Sequence, residues 1–355
     1  MQRRPGNIVI QEGTAYGRIV EFIGADLGYE RVSLPGNAPV ACGKWTLLRM
    51  LIINSVGLIR FLKRDRVFED IVVFGHIGIL VRLLGKLRII RYSRLFSLGF
   101  FVHSPQFLFL FRFLVFDSLR NHYIVFSEHE LSVYGERLQI DRSRMHFLRY
   151  VDWSDKPETL VFPRPENAWK EAYYFSGGYS NRDYLSLIEV FKQIPAKLII
   201  VCSARNTELN AVPNSPNILI LRDVREDCFE AYLQHSKAGI LPLKHNTGAC
   251  GQSVMLMLMR NKKASIASDV TVLREYIDNG RTGFLLRDFS GELLSVLNRL
   301  ESEEGLADNM GRASYQLYRT RFSGEAGFSA LREILKDSEY LPAGAAYKES
   351  GRRLE

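Results

Sequence analysis

Three features of this 355-residue chain predict an α/β protein with two doubly wound parallel-sheet domains in series. Short apolar, β-branched runs alternate with helical patterns along both halves, as crossover-connected parallel strands require. The alternation is interrupted at residues 154–171, which carry three prolines and no clear period and read as a linker. The length suits two domains of roughly 100–200 residues each. The boundaries expected are 1–153 for the first domain, 172–305 for the second, 306–337 for C-terminal helices and 338–355 for a weakly ordered tail.

In the first half, NIVI (7–10) reads as a strand, followed by the loop QEGTAYG and a helix from about Arg18 to Leu27. ERVSL is a second strand, and residues 44–63 read as a helix. DIVVFGH (70–76) is a run of the fully buried parallel kind. GILVRLLGKL is a helix, LRIIRY and LGFFVH (98–103) are strands, and YIVFS (123–127) is another. SEHELSVYGERL opens with helix-start chemistry, Ser127 as N-cap and Glu130 three residues on.

The second half restarts the alternation. YYFSGG, AKLIIVCS, NILILRD, AGILPL, ASIAS and TGFLLR read as strands. RDYLSLIEVFKQI, REDCFEAYLQHS, GQSVMLMLMR and VTVLREYIDNG read as helices between them. Helical patterns at about 290–303 and 306–337 close the chain.

Composition excludes several classes. At 46% hydrophobic and 24% charged residues, the chain can bury a sizeable core and is not disordered as a whole. Four cysteines without a C-x-x-C pair argue against a zinc site or a disulfide scaffold and suit a reducing cytoplasm. No signal-peptide run follows the N-terminus, and no stretch of ~18 uncharged apolar residues predicts a membrane span. The formal charge of +8 is concentrated: residues 44–120 hold 13 basic and 4 acidic residues. Such a segment suits anionic lipid, phosphorylated substrates or nucleic acid. Nucleic acid is disfavoured, since the aromatics here form Phe-rich apolar runs rather than a surface interleaved with basic residues.

Two pieces of that segment stand out. Residues 44–64, drawn as a helix, set Arg49, Arg60 and Lys63 on one stripe, a pattern a core helix also produces. Residues 96–116 hold eight of the 22 phenylalanines, with Arg112 among them. Phe and Leu with Arg suit an interfacial element on anionic lipid.

Candidate site residues cluster at the expected carboxyl ends of strands, where α/β sheets bind ligands. Gly251 precedes an apolar helical run, and a glycine turn at a helix N-terminus offers N–H groups and the positive dipole end to a diphosphate, with Gln252 and Ser253 adding donors. An ordinary N-cap turn reads the same way. Gly177 and Gly178 follow a strand and let the chain approach a phosphate, which Arg182 could meet bidentately; a tight turn with Arg182 bonded to a carboxylate is the alternative. Lys244 and His245 lie after another strand. His103 follows a strongly apolar strand and precedes Ser104-Pro105, so it is placed to face a crevice and to take a proton from a hydroxyl, or to bond backbone. No metal-ligand cluster is visible.

The order of these segments resembles the GT-B glycosyltransferases, and specifically their family-4-like members. SGGYSNRDYLSLIEVF resembles the first strand, Gly-rich turn and helix of their nucleotide-sugar domain. DVREDCFEAYLQHSKAGILPL resembles the segment under the nucleotide base. TGACGQSVMLMLMRNKKASIASDVTVLREYIDNGRTGFLL resembles the donor-phosphate helix and the turn after it, and FFVHSP resembles the strand and loop whose His stands beside the sugar. The resemblance covers about 70–335. It implies two Rossmann-like domains facing a cleft, with a C-terminal helix packing back across.

It also implies an enzyme without a cofactor: a hexosyltransferase, retaining if family-4 chemistry holds, that moves a sugar from a nucleoside diphosphate sugar to a hydroxyl of a lipid-linked or other saccharide acceptor. Its relatives do so in surface polysaccharide assembly, and need no bound metal. Donor contacts would come from Gly177, Gly178, Arg182, Arg205, Val224, Lys244, His245, Gly251, Gln252, Ser253 and Glu275. His103 would act near the acceptor, with Gly13, Tyr16, Gly17 and Arg112 on the acceptor side. The expected place is cytoplasmic, on the inner face of the plasma membrane through residues 44–120. One departure stands out: the family's two glutamates, eight positions apart, correspond to Ala249 and Met257. The second usually holds the donor ribose, so Glu275 is a candidate replacement, and a non-catalytic partner of another transferase is the competing reading.

Overall fold

A computed structural model describes residues 6–12, 17–34, 53, 56–59, 61, 67–74, 77–99, 120–138, 140–154, 160–213, 215–244 and 250–336. The chain divides into two compact units. The first comprises residues 1–149 and 327–355, the second 150–326.

The first unit is built on a six-stranded, all-parallel sheet of order β2-β1-β3-β4-β5-β6. Its strands are β1 (Gly6–Glu12), β2 (Glu30–Leu34), β3 (Val67–Phe74), β4 (Arg91–Leu98), β5 (Asn121–Val125) and β6 (Met145–Phe147). Its helices are α1 (Gly17–Ala25), α2 (Ile77–Lys86) and α3 (Glu128–Leu138). Ile8, Ile10, Ile71, Val73, Val81 and Leu95 fill the core beneath α2. At the start of α3 the Glu130 N–H donates to Ser127 Oγ at 3.1 Å, and the Glu130 carboxylate accepts from the Phe126 N–H at 3.0 Å. The helix-start signal is thus realised, with the return bond one residue earlier than the ideal box.

The two strands expected at LRIIRY and LGFFVH are corrected in part: the described residues form one strand between them, Arg91–Leu98. The first half of β4 is polar, and its polarity is balanced by a partner. Arg94 donates from Nε and Nη2 to the two Asp70 carboxylate oxygens at 2.7 Å each, and Tyr29 donates to the same carboxylate at 2.8 Å. Arg94 Nη2 also donates to Leu335 O at 3.3 Å. The C-terminal helix is further fastened to this unit by Phe328, which stacks on Phe22 at 4.5 Å.

His122 and His146 meet beside this cluster, Nδ1 to Nε2 at 2.9 Å, stacked against each other, with His122 also stacked on Phe96. Burial, and for His122 also Arg94 and Arg144, pushes both imidazoles down from 6.5 to about 4. The unfolded chain therefore takes up protons first. The stability these residues contribute is complete above about pH 6.5 and is lost as pH falls toward 4. The stability of the first unit to denaturant is expected to fall by on the order of 2 kcal/mol between pH 6.5 and 4.5. A His122→Gln/His146→Gln variant should flatten that slope, and an unchanged slope would refute the assignment.

The second unit carries another six-stranded parallel sheet, of order β12-β11-β10-β7-β8-β9. Its strands are β7 (Tyr173–Gly177), β8 (Lys197–Cys202), β9 (Ile218–Arg222), β10 (Ala238–Leu241), β11 (Ala264–Ser268) and β12 (Gly283–Leu286). Its helices are α4 (Tyr184–Phe191), α5 (Glu226–Gln234), α6 (Gln252–Arg260), α7 (Phe289–Ser302) and α8 (Leu306–Arg321). Helix α9 (Gly324–Lys336) starts here and groups with the first unit from Gly327 onward. Every residue of β7 is buried, because helices cover both faces. Tyr174 joins the layer of Tyr184, Phe191 and Leu297. Tyr173 and Phe175 join the layer of Met255, Leu258, Tyr276 and Phe322.

Residues 160–169 are pinned to this unit. The Phe162 N–H donates to Gln234 Oε1 at 2.7 Å, Gln234 Nε2 donates to Leu160 O at 2.7 Å, and Ala168 is buried. The helix expected at VTVLREYIDNG is corrected to a single 3-10 turn, Thr271–Glu275. Its buried residues Val272, Leu273, Tyr276 and Ile277 need only one turn to reach the core. The chain then closes on Gly280 at φ 82°, with the Asp278 N–H bonded to Thr282 Oγ1 at 2.8 Å. Among the described residues no helix is long and apolar enough to cross a membrane.

Candidate functional site

In the second sheet the strand order reverses between β7 and β10, and such a switch point opens a crevice at the carboxyl ends of the strands. Three loops converge there. The loop after β7 passes through Gly178 at φ 110° and Asn181 at φ 56°. Left-handed backbone is open to glycine and tolerated by asparagine, so the sequence SGGYSN suits this bend. The Gly178 N–H donates to Val201 O at 3.0 Å, which ties the bend to β8. Arg182 folds back into it: Nε donates to Gly177 O at 3.0 Å and Nη1 to Ser180 O at 2.7 Å, and the side chain is 4% exposed. Tyr184 donates its hydroxyl to Gly178 O. The partners found for Arg182 are thus carbonyls of its own loop rather than a carboxylate.

Asn181 joins this loop to the one after β10. Its amide donates to Lys244 O at 2.8 Å and to Cys250 Sγ at 3.1 Å, and Asn181 O accepts from the Lys244 N–H at 3.2 Å. Immediately beyond Cys250, Gly251 caps α6 at φ 90°. A side chain at Gly251 would combine a strained φ with a Cβ 3.1 Å from Leu243 Cδ1. The N-terminus of α6, with N–H groups that no helical carbonyl satisfies, therefore stands beside the Gly178 bend. Ser253 in its first turn is exposed, and its hydroxyl meets the Tyr150 hydroxyl at 3.3 Å. Gln252 is 8% exposed, donates to the Tyr276 hydroxyl at 3.1 Å, and so anchors the helix start inward. Lys244 is exposed at the end of its strand.

A cleft of about 310 Å³ lies alongside, at the ends of β8 and β9. Val201, Val224, Phe229, Val254 and Met257 give it apolar walls, and Asp223 and Glu226 supply carboxylates. Asp223, at φ 50°, accepts from the Ala204 N–H at 3.1 Å and so fixes the loop that carries Arg205. Arg205 itself is exposed and lies over the Tyr179 ring at 5.8 Å. Glu275 is half-buried at the end of the 3-10 turn, next to Tyr276.

The structure thus brings Gly177, Gly178, Arg182, Val224, Lys244, Gly251, Gln252 and Ser253 to one end of the second sheet, with Arg205 at the rim. Gly17 starts α1 in the first unit. Gly13, Tyr16, His103, Arg112, His245 and Ala249 lie outside the described residues, as do most of residues 44–64 and all of 100–116. Sequence reasoning missed Asn181, Asp223 and Glu226. The first two take left-handed φ values, and Asn in SNRD after a Gly-Gly pair was the available signal. Among the described residues no group of three His, Cys, Asp or Glu could hold a metal.

Residues 172–302 match the family of glycosyl transferases group 1. No curated protein matches the chain. Solved structures match over nearly its full length. A glycosyltransferase from Rickettsia africae is 15% identical with a TM-score of 0.70, covering 94% of this chain and 99% of the other. Sucrose-phosphate synthase from Thermosynechococcus elongatus is 13% identical with a TM-score of 0.68, covering 94% and 98%. HepE from Anabaena, solved with UDP and glucose, is 12% identical with a TM-score of 0.67, covering 93% and 99%. At these identities the likeness establishes the fold, which is GT-B.

Proposed function

We propose that this chain, a GT-B protein whose residues 172–302 form a group 1 glycosyl transferase domain, transfers a sugar from a nucleoside diphosphate sugar to a hydroxyl of a lipid-linked saccharide. The observation that carries this reading is the clamp that Asn181 makes between the Gly177–Arg182 loop and the loop leading to Gly251, inside the matched domain. It sets a glycine-capped helix N-terminus, a glycine bend and Lys244 side by side, and next to them a cleft whose apolar walls suit a nucleoside base. A diphosphate leaving group develops negative charge as the glycosidic bond breaks. Preorganised N–H groups and a cation stabilise that charge without reorganising. The cleft that takes the nucleoside starts at the bend that takes the phosphates, so one ligand fits both. The HepE structure, which holds UDP and glucose in a like fold, supports the same class of donor.

His103, Gly13, Tyr16, Gly17 and Arg112 are proposed for the acceptor side on sequence grounds, and Glu275 for the donor side. The basic, Phe-rich segment 44–120 is proposed to hold the protein to the cytoplasmic face of the plasma membrane.

A second reading has one observation in its favour. Met257 lines the cleft, and a thioether cannot accept the hydrogen bonds of a ribose diol as a carboxylate does. A non-catalytic partner of another transferase would tolerate that exchange. Calorimetric titration with a panel of nucleoside diphosphates, followed by transfer of isotope-labelled sugar to a lipid extract, separates the two. Binding and transfer are expected. Binding without transfer favours the partner, and binding of none removes the donor reading.

A further inference from the structure

The turn that joins α2 to β4 presents a surface that the core does not use. Leu83, Leu87 and Ile89 are 38, 60 and 40% exposed, while their neighbours Leu84 and Ile90 are 3 and 2% exposed and complete the interior. The basic residues Lys86, Arg88 and Arg91 alternate with them and are also exposed. Val67, 51% exposed, pairs with Arg91 across the sheet and extends the apolar strip. Glu69 is the exposed acid of the adjoining strand β3.

The turn is ordered rather than loose. The Leu87 N–H donates to Leu83 O at 2.9 Å, Arg88 N–H to Gly85 O at 3.0 Å, and Ile89 N–H to Leu84 O at 2.9 Å. Arg88 is held at φ 56°, a costly backbone for a side-chain-bearing residue, between the exposed side chains of Leu87 and Ile89. A turn whose backbone bonds are internally satisfied can enter the interfacial layer of a bilayer without desolvating bare N–H groups.

We propose that this turn, with Leu83, Leu87 and Ile89 as the inserting residues and Lys86, Arg88 and Arg91 as the charged rim, docks the first unit onto an anionic lipid surface. Branched aliphatic tips enter the acyl boundary, and long cationic side chains reach back to phosphate headgroups beside them. The alternation of the two along one short turn matches that layered partner. A nucleic acid would call for stacking aromatics, and the turn has none. The inference extends the membrane part of the proposed function and does not depend on the donor chemistry.

The test is co-sedimentation of the full chain with phosphatidylcholine vesicles, with and without phosphatidylglycerol, at low and high salt. The wild-type chain is expected to bind the anionic vesicles and to release at high salt. Leu87→Ser/Ile89→Ser should lower binding about tenfold or more, and Arg88→Glu/Arg91→Glu should abolish the preference for anionic lipid. Nucleoside diphosphate binding, measured on the same samples, should be unchanged in both variants. Full vesicle binding by both variants overturns the proposal. So does a dimer, seen by light scattering, that the Ser variant dissociates while vesicle binding persists, for that assigns the turn to a second copy. Failure of the wild-type chain to bind any nucleoside diphosphate, with vesicle binding intact, removes the donor reading alone.

Discussion

Replacing Arg260 with alanine is expected to cost the second unit about 3–5 kcal/mol of stability. Arg260 ends α6, and its side chain is 4% exposed. It forms ion pairs with Asp152 from one terminal and with Glu230 from another, and Glu230 is 3% exposed. Burial alone would lower the guanidinium's pKa, yet Asp152 and Glu230 together raise it. Tyr318 donates to Asp152 at 3.1 Å and Asn261 donates to Glu230 at 3.1 Å, so the network is closed on all sides. Deleting the cation leaves two carboxylates out of water with only neutral donors.

In a unit of this size that loss corresponds to a fall in melting temperature of roughly 6–20 °C. Two of the chain's three tryptophans, Trp153 and Trp169, lie in this unit, so intrinsic fluorescence follows its unfolding. A deficit below about 1 kcal/mol would show that the pairs are not what holds this corner.

How much of this was legible in the sequence depends on where each residue's partners lie. Strands such as Tyr173–Gly177 and Ala264–Ser268 are buried along their whole length, so composition alone reveals them. Ser127 and Glu130 are local partners, and a local spacing predicts their bonds. Strand β4 differs from the expectation because its first half is polar and partly exposed, and what holds half-buried Arg94 there is buried Asp70, 24 residues earlier in the chain and directly across the sheet. The same limit applies at the candidate site. Glycines before helices marked the Gly178 and Gly251 loops correctly as turns. Nothing local announces that Asn181 reaches Lys244 and Cys250, because that bond needs the sheet order that places β7 beside β10. Arg182 is the case in which chemistry and placement diverge most: a basic residue after a glycine pair suggests an anion partner, and the fold supplies carbonyls.

That divergence makes Arg182 the sharpest test of the site. Its guanidinium donates twice to the loop it belongs to, and burial lowers its pKa. The Gly178 bend, where the donor phosphates are proposed to bind, keeps its shape through those two bonds and through the Tyr184 hydroxyl. Arg182→Ala should therefore act on the free protein before any ligand is present, lowering the stability of the second unit by about 2–4 kcal/mol for two charge-assisted bonds and their packing. Nucleoside diphosphate affinity should fall by roughly tenfold to a hundredfold as the bend relaxes. Lysine should rescue little, because one ammonium cannot satisfy two carbonyls at fork spacing. A direct phosphate contact predicts a different pattern: unchanged stability of the free chain, a larger loss for nucleoside diphosphates than for nucleosides, and partial rescue by lysine. Melting the unliganded variants and titrating them with a diphosphate and its parent nucleoside distinguishes a residue that builds the proposed anion site from one that contacts the anion.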